Sequence, residues 1–93
     1  MEPPAEIEAY LDDEGRVRVW PSKSKRKLQR LVLEYLASQF ERGVDYSEKE
    51  VNAKLDAFTT FGDAALLRRE LFVAGWLGRT RNGSAYWRTD PTD

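Results

Sequence analysis

An apolar repeat in the first half of the chain constrains the fold more than any other feature. Large apolar residues recur there at helical spacing, every three or four positions: Leu28, Leu31, Val32, Tyr35, Leu36 and Phe40. A chain of 93 residues buries only about 60 to 65% of its unfolded surface, so most large apolar side chains are needed in one core. We therefore expect a helix that begins near Lys23, is capped by Ser22 or Ser24 and is closed by Gly43.

Two further helices are predicted from their capping residues. After a brief extended piece at 44–46, Ser47 and Glu50 have the spacing of a capping box, and Val51, Leu55 and Phe58 follow on one side of the helix. Asp63 can cap a third helix that runs to Ala74 and is closed by Gly75. The third helix carries two patterned sides. One consists of Leu67, Leu71 and Ala74, and the other of Ala65, Arg68, Arg69 and Phe72.

The two ends of the chain are predicted to contain strands. Ile7 to Leu11 alternates apolar and other residues, 12–15 has turn composition, and 16–20 reads as a second strand with Val17 and Val19 on one face. Near the C-terminus, 77–81 and 84–88 flank Asn82-Gly83, the strongest signal for a two-residue hairpin turn. The expected fold is α+β and winged-helix-like: three helices, a C-terminal β-hairpin wing and an extra N-terminal strand or hairpin.

The composition excludes several classes of function. The chain has no cysteine and no histidine, which removes disulfide frameworks, zinc fingers, thiol catalysis and Ser-His-Asp catalysis. The carboxylates before Gly15 lack the spacing of a calcium loop. We therefore expect no enzyme activity, no metal and no cofactor. No apolar stretch approaches the about 20 residues of a membrane span, and the acidic N-terminus is unlike a signal peptide, so a cytoplasmic protein is expected.

Charge is segregated along the chain although the net charge is only −1. Residues 1–14 form an acidic N-terminal segment with six acids, and the tail 89–93 carries Asp90 and Asp93. All 15 bases lie in the predicted domain, 15–88. A basic body of this kind attracts polyanions, although solvated surface charge is the more common explanation.

Candidate DNA-binding residues follow from this distribution. They are the third-helix residues Arg68 and Arg69, the wing residues Arg79 and Arg81, and the bases of the first helix, Lys23, Lys25, Arg26, Lys27 and Arg30. In a winged helix that reads DNA, the third helix enters the major groove and the wing lies along the backbone. The alternative for the first-helix bases is pairing with the acids at 12–14. For Arg68 and Arg69 it is pairing with Glu48, Glu50 or Asp63, which is favoured for Arg68.

Exposed apolar residues on the third helix support a different class of function. Phe72 shares a side with Arg68, and an exposed phenylalanine there fits a protein interface better than a DNA groove. Phe72 and Val73 are therefore the candidate interface residues of a protein-interaction or dimerisation module. The large aromatics could stack on nucleobases, but they are expected in the core. They are Trp20, Trp76, Tyr86 and Trp87.

The chain resembles a prokaryotic family of unknown function. The resemblance covers about 15–88 and rests on Gly-Arg at 15–16, Trp-Pro-Ser-Lys at 20–23, Tyr-Ser-Glu-Lys-Glu-Val-Asn at 46–52, Thr-Phe-Gly-Asp at 60–63, Leu-Arg-Arg-Glu-Leu at 67–71 and Asn-Gly-Ser-Ala-Tyr-Trp-Arg at 82–88. It departs from the family at Thr59, where members often have histidine, and at Val73, where they have a polar residue. Members occur alone or appended to helix-turn-helix transcriptional regulators. The resemblance thus implies a transcription-related module, with a DNA site and partner that the sequence leaves open.

Overall fold

Four helices and a two-stranded hairpin follow one another in the computed structural model, which describes residues 2–91. The elements are a 3₁₀-helix (Ala5–Tyr10), α1 (Arg26–Ala37), α2 (Glu48–Ala57), α3 (Ala64–Val73), β1 (Leu77–Arg79) and β2 (Tyr86–Arg88). The α+β class and the C-terminal hairpin are therefore confirmed. Within 2–91, no helix is both long and apolar enough to cross a membrane. Asp93 of the predicted tail lies outside the described residues.

The first element is helical, so the predicted strand at 7–11 is wrong. The backbone N–H of Ile7 donates to the carbonyl of Pro4, and that of Leu11 to the carbonyl of Glu8, both at 3.1 Å. Leu11 ends this 3₁₀-helix in an extended conformation and forms a bridge with Val17. An alternation of only three apolar residues is too short to distinguish a strand from a short helix. Ile7 is fully buried in the core.

The second predicted N-terminal strand, 16–20, is present only as isolated β-bridges of Val17. Val17 pairs with Leu11 on one side and Thr59 on the other. Its N–H donates to the Phe58 carbonyl at 2.8 Å, and its carbonyl accepts from Thr60 at 2.9 Å. Val17 is fully buried whereas Val19 is 47% exposed, and Val17 alone pairs within 16–20, so the predicted strand with both valines on one face is not formed. One residue holds this segment to the end of α2.

Helix α1 buries the predicted side but begins and ends elsewhere. Val32 and Leu36 are fully buried and Tyr35 nearly so. The helix starts at Arg26 with Lys25 at the N-cap position and without a side-chain cap. Both predicted caps lie before that position, in a turn in which the Lys25 N–H donates to the Ser22 carbonyl at 2.9 Å. The helix ends at Ala37, well before Gly43. That glycine has φ +77° in the connection to α2 and does not close the helix.

Both predicted caps of α2 and α3 are confirmed. The Ser47 hydroxyl accepts from the Glu50 N–H at 3.1 Å, and the Glu50 carboxylate accepts from the Ser47 N–H at 2.8 Å. The Asp63 carboxylate accepts from the Leu66 N–H at 3.3 Å. Capping fixes where each helix begins. One side of α3 then faces the core, where Leu67 and Leu71 are fully buried.

The C-terminal hairpin has the predicted register with a different turn. Arg79 pairs with Tyr86, which centres the turn on Asn82-Gly83. Gly83 has φ +73° but Asn82 keeps a negative φ, and the Gly83 N–H donates to the Thr80 carbonyl at 3.0 Å. The predicted two-residue turn, which needs positive φ at both residues, is therefore wrong. A four-residue loop at 81–84 replaces it.

A third segment joins the hairpin. The N–H of Tyr46 donates to the Tyr86 carbonyl and the N–H of Tyr86 donates to the Tyr46 carbonyl, both at 2.7 Å. The predicted extended piece between α1 and α2 is thus one residue of antiparallel pairing with β2. This pairing ties the hairpin to the helices.

The large aromatics pack as the core expectation requires. Tyr86 is buried, and Trp20 and Trp76 pack against the core while partly exposed. The Trp87 indole lies across Gly78, where an added Cβ would come within 2.5 Å of the indole nitrogen. These rings therefore pack mainly within the folded domain, with part of Trp20, Trp76 and Trp87 left exposed.

Replacing Gly83 by valine is expected to destabilise the domain by about 1–2 kcal/mol or more, because a β-branched residue is strained at its positive φ. Ser84→Val, at an exposed neighbour in the same loop, is expected to change stability by less than about 0.5 kcal/mol. Chemical denaturation of the two variants measures the difference. Equal losses at both positions would contradict a loop that depends on Gly83.

Candidate nucleic-acid interface

A cleft of about 240 Å³ lies between the exposed side of α3 and the hairpin. Its lining consists of Glu48, Arg68, Arg69, Phe72, Arg79 and Tyr86. Leu67 and Leu71 face the core. Arg68 and Phe72 therefore project from a different side of α3, toward the cleft. The structure thus brings together predicted candidates from the third helix and from the wing.

Arg79 reaches α3 from the hairpin. Leu77 and Arg79 are two residues apart on β1 and project to the same side of the strand. Leu77 enters the core, whereas Arg79 extends past the core edge, with its guanidinium carbon 4.5 Å from the centre of the Phe72 ring. A guanidinium stacked on an aromatic ring is attracted by the ring electrons and keeps its N–H edge available for an anion.

Arg68 is engaged within the protein. Its guanidinium donates to the side-chain oxygen of Asn52 and lies 3.6 Å from the Glu48 carboxylate. The Arg68 side chain is only 20% exposed. Of the predicted alternatives for Arg68, pairing with Glu48 is therefore present, and it clamps α3 to α2.

Asn52 was not recognised from the sequence. It lies four residues after Glu48, so both project from the same side of α2 and meet one arginine. The four-residue spacing of Glu48 and Asn52 was the signal in the sequence. It identifies them as partners of Arg68 only when the angle between α2 and α3 is known.

Unlike Arg68, Arg69 and Arg81 form no ion pair within residues 2–91. Both are exposed, and the ion pairs within 2–91 involve other arginines. Arg69 shares the cleft with Arg79, and Arg81 lies in the hairpin loop beyond it. The charges of Arg69 and Arg81 are available to an external anion.

The first-helix bases form a separate surface on the opposite side of α3. All five are exposed, and Lys23, Arg26 and Arg30 line clefts together with Glu70 of α3. On α3, Glu70 projects away from the side that carries Arg68 and Phe72. The structure therefore does not bring these bases into the cleft of Arg69 and Arg79.

The acidic N-terminal segment does not neutralise the first-helix bases. Asp12 lies 2.8 Å from Arg16, and Glu14 lies 3.6 Å from it. The Arg16 backbone N–H donates to the Asp12 carboxylate and lowers the pKa of that carboxyl. Within 2–91, no ion pair joins a first-helix base to a carboxylate, although the Lys25 ammonium donates to the Tyr10 hydroxyl at 3.3 Å.

The two candidate protein-interface residues differ in their surroundings. Phe72 is 38% exposed and has Arg79 on its ring, whereas Val73 is 71% exposed. Much of the apolar surface of Phe72 is therefore already in contact with the hairpin. Across 2–91, the structure contains no group of three acidic side chains placed to hold a metal ion.

Comparison with known proteins gives one match. No curated protein and no solved structure matches the chain. A family model described as an uncharacterized protein conserved in bacteria (DUF2087) matches residues 16–88. The matched range runs from the Val17 bridges through the three α-helices to the end of the hairpin, and so includes the whole cleft. The chain therefore belongs to the DUF2087 family of bacterial proteins.

Proposed function

We propose that this protein is a non-enzymatic, winged-helix-like module of a transcription-related protein, and that it binds duplex DNA through α3 and the hairpin. The order of elements supports the proposal: a helix, an extended residue, two helices and a hairpin, with Tyr46 pairing to the hairpin. This is the order of a winged helix. In that arrangement α3 enters the major groove and the hairpin lies along the backbone.

The contact between Arg79 and Phe72 is the observation on which the proposal depends. It holds a hairpin arginine beside Arg69 of α3. Within 2–91 neither of these cations forms an ion pair with a carboxylate, so two cations on neighbouring elements are available to phosphate groups. Arg81 extends the positive surface along the hairpin.

Each arginine has a distinct role in this proposal. Arg79 and Arg81 contact phosphates and so position the protein without reading sequence. Arg69, on the helix in the groove, contacts a phosphate or a base edge. Arg68 holds α2 and α3 at their angle through Asn52 and Glu48 and does not contact DNA.

A protein-interaction or dimerisation module is the second candidate, and the exposure of Val73 favours it. Val73 projects next to Phe72 from the end of α3. Under this function the Phe72 ring is the anchor of the interface, and a buried aromatic anchor can contribute about 2 kcal/mol or more to binding.

Duplex binding measured by fluorescence anisotropy tests the proposal. If Arg69, Arg79 and Arg81 contact phosphates, the logarithm of the binding constant for a random duplex is expected to fall with the logarithm of salt at a slope of about −2.7. Arg81→Gln is expected to reduce the size of that slope by about 0.9 for every sequence. Arg69→Gln is expected to relax any sequence preference as well.

Arg42→Gln is the matched control, because it removes the same charge away from the cleft. Arg42 is exposed and pairs with Asp90 at 2.8 Å. Its loss is expected to leave the slope unchanged. No duplex binding at tens of micromolar protein in about 50 mM salt would refute autonomous DNA binding. Self-association that is detected by sedimentation and abolished by Phe72→Ala would instead support the interaction module.

A further inference from the structure

A second cleft, on the other side of α3, lies between that helix and the segment leading into α1. Its volume is about 550 Å³, within the range of small-molecule sites. The lining residues are Trp20, Pro21, Ser22, Lys23, Arg26, Gln29, Leu66 and Glu70. None of them lines the cleft of Arg69 and Arg79, so the two sites are separate.

The wall of this cleft is held in place by the fold. Pro21 is fully buried, and the Gln29 side chain donates to its carbonyl at 2.8 Å. The Lys25 N–H donates to the Ser22 carbonyl at 2.9 Å. These bonds fix the segment between Trp20 and α1, so the side chains of Trp20 and Lys23 start from an ordered backbone.

The cleft combines three kinds of chemistry. Lys23 and Arg26 are cations without a carboxylate within ion-pair distance in residues 2–91. Trp20 is only partly buried and offers an aromatic surface beside Leu66. Glu70 is a carboxylate that only accepts hydrogen bonds when ionised, and no hydrogen bond or ion pair within the described chain engages it.

These groups restrict the ligand. The two cations attract a phosphate, and the indole favours a planar ring stacked on it. The Glu70 carboxylate would repel an anion that is charged along its whole length, but it accepts from hydroxyl or amino groups. Inorganic phosphate lacks the ring and a nucleoside lacks the charge, whereas a nucleotide carries all three kinds of group.

We propose that the cleft formed by Trp20, Lys23, Arg26, Leu66 and Glu70 binds a nucleotide through its phosphate and its base. The phosphate lies at Lys23 and Arg26, the base lies against Trp20, and a sugar hydroxyl or base amino group donates to Glu70. The same chemistry is offered by a free mononucleotide and by a nucleotide of a DNA strand. In a duplex, however, the bases are stacked on each other, so no base face is available to Trp20 and only the phosphates can reach Lys23 and Arg26.

Two-dimensional NMR of the ¹⁵N-labelled protein tests the site directly. Titration with 5′-AMP is expected to produce saturable shifts of the Trp20 indole N–H and of backbone N–H groups at 22–26 and 66–70. Adenosine and inorganic phosphate are each expected to bind at least about tenfold more weakly, because each lacks one of the two contacts. The indole signals of Trp76 and Trp87, which do not line the cleft, serve as internal controls.

Variants separate the site from general attraction of anions. Lys23→Gln combined with Arg26→Gln is expected to weaken AMP binding at least about tenfold. Lys27→Gln is the matched control, since Lys27 is an exposed base of the same helix that does not line the cleft; it is expected to change the dissociation constant less than about twofold. The dispersion of the spectra shows whether each variant is folded.

Three results would overturn the proposal. The first is the absence of saturable shifts up to about 10 mM AMP. The second is equal binding of inorganic phosphate and AMP. The third is a shift of these signals by a short duplex but not by AMP, which would assign the cleft to the DNA backbone. None of these results depends on Arg79 or Arg81, so the DNA-binding proposal stands or fails separately.

Discussion

Leu36→Ala and Leu71→Ala are each expected to lower the free energy of unfolding by about 2–5 kcal/mol. Both leucines are fully buried, Leu36 in α1 and Leu71 in α3, and these two helices pack against each other. Truncation removes buried methyl groups and leaves a cavity that a close-packed core refills only in part. Small domains have about 5–15 kcal/mol of stability in total, so either change takes a large part of it.

Leu66→Ala provides the comparison for these two variants. Leu66 is on α3 as well, but it is partly exposed at the edge of a cleft, so its truncation is expected to cost clearly less. Thermal and urea denaturation of the three variants measure the order. If Leu36→Ala and Leu71→Ala both melted within about a degree or two of the parent protein, the core would be wrongly located.

Phe40→Ala is expected to lower the free energy of unfolding by about 3–5 kcal/mol, at least as much as Leu36→Ala or Leu71→Ala. Phe40 is 1% exposed and meets the Tyr46 ring edge to face, with ring centres 5.2 Å apart. The Lys54 ammonium lies 5.9 Å from the Phe40 ring centre, and Arg88 donates to the Phe40 carbonyl at 3.2 Å. The Phe40 ring therefore joins the end of α1 to Tyr46 and to Lys54 of α2, and the substitution leaves in place the backbone carbonyl that Arg88 contacts.

Phe72→Ala is the matched control for Phe40→Ala, because it removes the same ring from an exposed position. Its expected cost is smaller, about 1–2 kcal/mol, because the Phe72 ring is 38% exposed and only part of its surface leaves water on folding. Urea denaturation compares the two variants. A loss at Phe72 as large as that at Phe40 would mean that the Phe72 ring belongs to the core, which would contradict its place in the DNA-facing cleft.

Local patterns predicted the elements whose determinants are close in sequence. The capping box at Ser47 and Glu50, the Asp63 cap and the hairpin register each depend on residues a few positions apart, and all three are confirmed. The apolar repeat of α1 located its buried side for the same reason. The start of α1 was wrong because a turn closed by the Lys25 N–H on the Ser22 carbonyl places both serines before the N-cap residue Lys25. The spacing cannot distinguish such a turn from a cap.

Features that depend on distant parts of the chain were not predictable in this way. The exposure of Val19 depends on Val17 being fixed between Leu11 and Thr59, which lie in different segments. The stack of Arg79 on Phe72 requires the position of the hairpin relative to α3. The sequence identified both as candidate residues, but for different functions, because no local pattern shows that they touch.

The reciprocal backbone bonds between Tyr46 and Tyr86 have a consequence for how the domain assembles. The hairpin itself is local, but attaching it at Tyr46 closes a loop of about 40 residues that contains both α2 and α3, and closing a loop of this length has an entropic cost. Attachment is therefore favourable only when the two helices are already packed. The orientation of Arg79 relative to α3 then arises in the same cooperative step as the core, so the hairpin cannot swing independently without partial unfolding of the domain.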